Sequence, residues 1–235
     1  HSSNIGSAKI AEKLGSSIQL KYLKSLGLMD KLSLEIPETG SPLVRTDAKL
    51  LTTMTISYGH GIAITPVHLA STTATIVNGG IRINPTLLIP TSINNSKRIF
   101  SKQTSMKMKS IMRLVVSNKY GTAKQAEAPG YLVGGKTGTA EKISKSGGYL
   151  KKQNIVAFTA GFPMNDPRFV IMVMIDNPKG QKSSSWYRTA GWVAAPVVSE
   201  IVTRIAPILG IKPEMNESIV LTKILLKYKI RGAVL

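Results

Sequence analysis

The stretch Gly130-Tyr-Leu-Val-Gly-Gly-Lys-Thr-Gly-Thr139 decides how the rest of this chain is read. Its first eight residues satisfy G-x-x-x-x-G-K-[ST], a loop whose backbone amides cradle phosphates. Its last four, Lys136-Thr137-Gly138-Thr139, satisfy a second pattern, K-T-G, and suit a β-strand. The two patterns need different backbones, so the flanks must choose between them. A phosphate loop joins a buried strand to a helix whose N-terminus faces the phosphates. Before Gly130 the chain reads Ala126-Glu-Ala-Pro129, which is no buried strand. After Thr137 it reads Gly-Thr-Ala-Glu-Lys-Ile-Ser-Lys-Ser-Gly-Gly148, which has no apolar helical face. Inside the supposed loop, Tyr131, Leu132 and Val133 favour a strand. Val170–Asp176 imitates the apolar strand ending in aspartate that holds magnesium in nucleotide hydrolases, yet Asn177-Pro178 after it is an ordinary strand-ending turn. A P-loop nucleotide hydrolase stays as the remote alternative.

Working outward, residues 4–26 predict a helix with Ile5, Ala8, Leu14, Ile18, Leu20 and Leu23 on its apolar face, punctuated by Gly15 and Gly27. Residues 28–57 read as irregular, broken most clearly at Glu35-Ile-Pro-Glu-Thr-Gly40. Thr65-Pro66 opens a helix to Val77, stopped by Asn78-Gly79-Gly80. Residues 81–100 suggest short extended pieces around Pro85 and Pro90. A further helix is expected over Thr104–Ser117, with Met108, Ile111, Met112, Val115 and Val116 inward. Then the period changes. Tyr131–Glu141, Asn154–Phe162 and Arg168–Asp176 predict three strands, turning at Gly147-Gly148 and Asn165-Asp-Pro167. Such short connections require antiparallel neighbours. A closing helix over Val193–Leu209 ends at Gly210. The whole predicts an α/β layer architecture, an antiparallel sheet covered by helices.

The 235 residues carry 31 Lys and Arg against 12 Asp and Glu, a net charge of +19 with a pI near 10.2. That surface favours anionic partners such as acidic lipid or a polyanionic envelope. No zinc finger, RNA-binding aromatic signature or basic region joined to heptads is present, so no nucleic-acid partner is expected. There is no cysteine, and His1, His60 and His68 lack compact ligand spacing, so neither metal nor cofactor is expected. His60 in Tyr58-Gly-His-Gly61 reads as structural. No signal peptide is visible, and the longest apolar run, Phe169–Ile175, is too short for a bilayer and suits a buried strand.

On the strand reading, Lys136 supplies a fixed positive charge, and Thr137 or Thr139 a hydroxyl for a carboxylate or a proton relay. Gly138 leaves no side chain, so a substrate backbone can approach closely. A second signal stands 132 residues earlier. His1-Ser2-Ser3-Asn4 contains S-x-N, which accompanies K-T-G in serine acyl-transfer enzymes. There Ser2 could relay protons and Asn4 could hydrogen-bond a substrate amide. By itself Ser2–Asn4 would pass for a helix cap; the ordered pair of motifs is what carries weight.

The sequence therefore resembles the C-terminal part of the transpeptidase domain of a class B penicillin-binding protein, of the cell-division type. Besides the two motifs, the likeness rests on Ile36-Pro-Glu-Thr-Gly40, Ser57-Tyr-Gly-His-Gly-Ile-Ala-Ile-Thr-Pro66, Asn78-Gly79-Gly80, Pro129-Gly-Tyr131, Phe158-Thr-Ala-Gly-Phe-Pro163 and Ala194-Ala-Pro-Val197. It covers residues 1–212; residues 213–235 form a basic apolar tail of unassigned role. The resemblance implies a penicillin-binding/β-lactamase-like transpeptidase fold with a mostly helical region between the motifs. It implies a peptidoglycan D,D-transpeptidase working through a serine acyl-enzyme, with Ser2, Asn4 and Lys136 catalytic and Thr137, Gly138 and Thr139 binding substrate. The partners implied are the D-Ala-D-Ala stem peptide, β-lactams in the complete protein, and divisome membrane proteins. The parent protein would be anchored in the inner membrane with this domain in the periplasm.

The departure is the nucleophile. These enzymes attack through the serine of S-x-x-K, whose lysine deprotonates it. No serine here has lysine three residues later. Thr104-x-x-Lys107 and Thr139-x-x-Lys142 have the spacing but stand in the wrong order. The serine is expected upstream of His1, with the membrane anchor, a stem domain and the first sheet strands. The alternative is a truncated, non-catalytic relative that binds wall peptide or a division partner. Trp186 and Tyr187, in the polar loop after the last strand, suit either a cleft rim or a packed anchor.

Overall fold

The computed structural model describes residues 1–89, 96–144 and 148–214. Two compact units divide them: Ser2–Lys102, and His1 with the chain from Gln103 onward. The expected extended piece at Pro90, Gly147 of the first turn and the tail from residue 215 lie outside the described residues.

The first unit is mainly helical. The expected helix over 4–26 forms as two, α1 (Asn4–Leu14) and α2 (Ser16–Ser25), because Gly15 between them takes φ 80°. The side chain of Ser3 caps α1 by accepting from the Gly6 amide at 3.1 Å. The expected apolar face is only partly right: Ile5, Leu14 and Ile18 are exposed, and what α1 and α2 bury is Ala11 and Gln19. Gln19 donates to the Thr53 carbonyl at 2.9 Å inside α3 (Leu50–Ile56). That helix lies where irregular chain was expected. Its threonines explain the misreading: β-branched residues weaken helix propensity, while here Thr53 and Thr55 return their hydroxyls to the Lys49 and Thr52 carbonyls.

Helix α4 (Pro66–Val77) forms as expected, with Thr65 as cap and proline at its start. Two short ladders complete the unit, β1 (Leu43–Val44) with β2 (Ile62–Ala63) and β3 (Ile81–Arg82) with β4 (Lys97–Arg98). The two histidines of this unit differ in burial. His68 is buried, with Nδ1 2.8 Å from the Thr65 hydroxyl and Nε2 2.9 Å from the Asp30 carbonyl. His60 is exposed, edge-on to Tyr58.

The second unit holds a three-stranded antiparallel sheet in the order β5 (Gly134–Ile143), β6 (Tyr149–Phe162), β7 (Phe169–Asp176). The register pairs Thr137 with Phe158 and Phe158 with Val173. Val156, Phe158, Ala160 and Phe162 therefore share one face of the central strand and are fully buried. Against that face lie Ala194, Ala195, Val198, Val202 and Ala206. Ala194 joins α6 (Ala190–Val193) to α7 (Ala195–Ile208), and the other four belong to α7; two helices stand where one was expected, with Pro196 opening the second. The run Ala190–Ile208 is long and apolar enough by length and composition to cross a membrane. Its small residues are instead the ones the sheet buries.

β7 is half-buried rather than the buried strand its run of apolar residues suggests, because among the described strands it is an edge of the sheet. Helix α5 (Lys102–Ser117) starts two residues early and is rotated from expectation: Ser105, Ser110, Met112, Arg113 and Val116 are buried, and Ile111 is exposed.

The buried central strand sets the stability of this unit. Phe158→Ala is expected to lower unfolding free energy by about 3–5 kcal/mol, as loss of a buried aromatic does. Ile5→Ala, on the exposed side of α1, is expected to stay within about 0.5 kcal/mol. Denaturant melts of both variants check the contrast.

Candidate active site on an edge strand

Lys136, Thr137, Gly138 and Thr139 all lie on β5, which pairs with β6 alone among the described strands. The lead-in is built for that placement. Ala128-Pro-Gly-Tyr131 closes a turn through the Tyr131 amide and Ala128 carbonyl at 2.8 Å, with Gly130 at φ 83°. Tyr131, Leu132 and Val133, expected within the strand, precede it as a buried lead. Arg113 of α5, itself buried, donates to the Val133 carbonyl at 2.7 Å and pairs with Glu127 at 2.8 Å. The Glu127 carbonyl accepts from Ser199 of α7 at 2.6 Å. Two helices thus hold the residue that enters β5.

Gly134 and Gly135 then pass through tight quarters. A methyl group at 134 would stand 2.9 Å from the Arg113 amide, and one at 135 would stand 2.7 Å from the Phe158 ring and strike the Thr159 carbonyl. Gly138 differs, since a side chain there would meet only the Ala157 carbonyl at 3.9 Å. Its glycine is not needed for packing, which leaves open space above the strand. No helix follows Lys136, as a phosphate loop requires; the strand runs on to Ile143.

The side chains alternate. Thr137 and Thr139 share the face of Phe158 and Val156, while Lys136 and Gly138 share the face of Thr159 and Ala157. The Thr137 hydroxyl lies 3.0 Å from that of Thr122, in the loop after α5. The Thr139 hydroxyl accepts from the Ala190 amide, at the start of α6, at 3.4 Å. Lys136 donates to the Thr137 carbonyl at 2.6 Å. Its surface is exposed, yet the protein around its ammonium removes part of its water, and that desolvation lowers its pKa from the ordinary 10.5.

Ser2 and Asn4 belong to the helical unit, where Asn4 is the first residue of α1 and Ser2 lies just before the capping Ser3. Both are exposed. His1 counts with the sheet unit, its ring stacked on Tyr120 at 6.3 Å between centroids. Trp186 is 72% exposed, with φ 64°, and Tyr187, also exposed, stacks on Trp192 at 5.1 Å. Thr122, Arg113 and the Ala190 amide were not singled out from sequence. For two of them the signal was an adjacent glycine: Gly121 beside Thr122 and Gly191 beside Ala190 both stand where a side chain would strike backbone.

A helix-backed antiparallel sheet with K-T-G-T on its edge strand defines the class of serine enzymes that recognise penicillin. The penicillin binding protein transpeptidase domain matches residues 1–203, and the chain belongs to that family. Among curated relatives, it is 37% identical over 221 residues to the probable peptidoglycan D,D-transpeptidase FtsI of Caulobacter vibrioides, covering 90% of this chain and 37% of that one. It is 33% identical over 233 residues to stage V sporulation protein D of Bacillus subtilis, covering 92% and 34%. The chain thus spans about a third of the length of these relatives. Of solved structures, the transpeptidase domain of Burkholderia pseudomallei penicillin-binding protein 3 superposes with a TM-score of 0.81 at 29% identity, covering 91% of this chain and 63% of that one. Penicillin-binding protein 3 of Mycobacterium tuberculosis in complex with ampicillin gives 0.84 at 24% identity, covering 92% and 51%, a likeness of fold.

The lowered pKa of Lys136 has a signed consequence. The folded state releases this proton before the unfolded state does, so folding carries a cost below the lowered value that fades as pH rises toward 10.5. Lys136→Met is expected to raise the melting temperature at neutral pH, with the gain shrinking as pH rises toward 10.5. Melts across that range check it, and competitive amine labelling should titrate Lys136 below the ordinary lysine value.

Proposed function

We propose that this chain is the K-T-G-bearing part of a peptidoglycan D,D-transpeptidase that cross-links stem peptides through a serine acyl-enzyme. The observation that carries the reading is the edge strand: Lys136, Thr137, Gly138 and Thr139 stand in sequence on a strand whose outer side has no partner among the described strands. An extended peptide can add to such an edge through main-chain hydrogen bonds. Gly138 gives the room, Lys136 the positive charge, and Thr137 and Thr139 the hydroxyls that hold a terminal carboxylate. Ser2 relays protons, and Asn4 bonds the substrate amide. The serine that attacks the D-Ala-D-Ala bond belongs to an S-x-x-K outside these 235 residues. It forms an acyl-enzyme with release of the terminal D-alanine, and the amine of a neighbouring stem peptide then takes the acyl group and frees the serine. β-Lactams enter the same site as substrate mimics; ampicillin in the mycobacterial relative's complex supports this.

On this reading residues 1–212 form one transpeptidase region and residues 213–235 a separate tail. The outer edge of β7 is where further sheet strands of the complete domain would pair. The parent is membrane-anchored, acts in the periplasm, and meets division proteins in the membrane; the FtsI name of the Caulobacter relative supports the division role. A second reading has one observation behind it. No serine here carries S-x-x-K, which suits a relative that binds wall peptide or a division partner without catalysis.

The test is Lys136→Ala in the full-length protein. If Lys136 acts on the acylation transition state, the second-order rate of acylation by penicillin falls by roughly 10²–10³, about 2.7–4 kcal/mol. The melt does not fall. An unchanged rate removes Lys136 from the site, and a loss matched by collapse of the melt makes its role structural. A protein that binds stem peptide but never acylates selects the second reading. Loss of ATP binding with no penicillin chemistry would restore the phosphate-loop reading.

A further inference from the structure

Three hydroxyls and one backbone amide meet on the Phe158 face of β5, and not all of them come from the strand. Thr122 Oγ1 and Thr137 Oγ1 are 3.0 Å apart, a distance at which one must donate to the other. The Ala190 amide donates to Thr139 Oγ1. An amide can only donate, so this contact takes an acceptor site of Thr139 and leaves its proton for another group.

The loop that carries Thr122 is held by backbone. The Gly121 amide donates to Asn118 at 2.8 Å, and the Ala123 amide to Val115 at 3.1 Å. A side chain at Gly121 would strike the Val115 carbonyl, and one at Gly191 would strike the carbonyl of Thr122 itself. Gly191 follows Ala190, whose amide holds Thr139. The same seam between the loop and α6 therefore fixes the partners of both strand threonines. Thr122 is exposed and Thr137 is half-buried, so a ligand can reach the pair.

We propose that Thr122 is a positioning residue: its hydroxyl donates to Thr137, so that Thr137 turns its own proton outward to a ligand carboxylate. The inference deepens the transpeptidase reading of this strand and rests on it. A carboxylate only accepts hydrogen bonds. If Thr137 donated to Thr122, it would present a lone pair to the anion and repel it. With Thr122 donating, the bonds run in one direction, Thr122 to Thr137 to carboxylate, and each strengthens the next. Thr139, its acceptor site taken by Ala190, presents its proton beside Thr137. The seam thus sets two donors toward an anion on that face of the strand.

The experiment uses the full-length protein and two probes, penicillin G and its methyl ester, which lacks the free carboxylate. Thr122→Val keeps the shape and removes the hydroxyl; Thr122→Ser keeps the hydroxyl. Thr122→Val is expected to lower the second-order acylation rate with penicillin G about tenfold, the size of one net hydrogen bond. Thr122→Ser should restore it, and the ester's rate should be the same in wild type and Thr122→Val. An unchanged penicillin G rate, no rescue by serine, or an equal loss for acid and ester would overturn the role of Thr122. Absence of acylation in the wild-type protein would instead overturn the transpeptidase reading beneath it.

Discussion

Strand β5 holds its position only because residues 134 and 135 have no side chains. Backbone of α5 closes on Gly134 from one side, and the Phe158 ring and Thr159 carbonyl close on Gly135 from the other. Any Cβ there would push the strand off the sheet or off the helix. Cores of this density absorb even a methyl group poorly. The pinch matters because a one-residue slip would exchange the faces of Lys136 and Thr137. Arg113 and Glu127 reinforce it by tying the Val133 carbonyl to α5 just before the strand begins.

The chemistry follows from what is fixed and what is left open. Packing fixes 134 and 135, while Gly138 is unconstrained by its neighbours. Three glycines in one stretch thus differ in what they do: two let protein approach protein, and one leaves the surface of the strand open. The threonines are held in the same selective way. Their partners sit in the loop after α5 and at the start of α6, on the core side of the strand, and the helices behind them are anchored by the buried face of β6. Lys136 stands on the other face, with part of its hydration lost. The strand therefore carries positive charge on one face and hydroxyl groups on the other, on a frame fixed by packing.

The sheet and the site strand were legible in the sequence because their signals are local. Apolar runs, turn residues and short connections gave three antiparallel strands, and Thr65-Pro66 gave α4. Elements whose stability comes from elsewhere were less legible. α3 is rich in threonine, and its tie to α2 runs through a buried glutamine that no apolar pattern reveals. Apolar periodicity misplaced the inward faces of α1 and α5, since Ile5 and Ile111 are exposed while Ser105, Ser110 and Arg113 are buried. Of the candidate site, Lys136–Thr139 could be found from a tetrapeptide. Thr122 and the Ala190 amide could not, because their contacts join residues 15 and 51 positions apart and one uses only backbone.

The central claim is that this strand completes an acyl-transfer site whose nucleophile is a serine followed three residues later by lysine. The most direct measurement is intact mass and peptide mapping of the full-length protein after reaction with a penicillin. The account predicts one adduct per chain, on a serine of an S-x-x-K outside residues 1–235. An adduct on any serine within these residues, or none under conditions where the folded protein is intact, would contradict it.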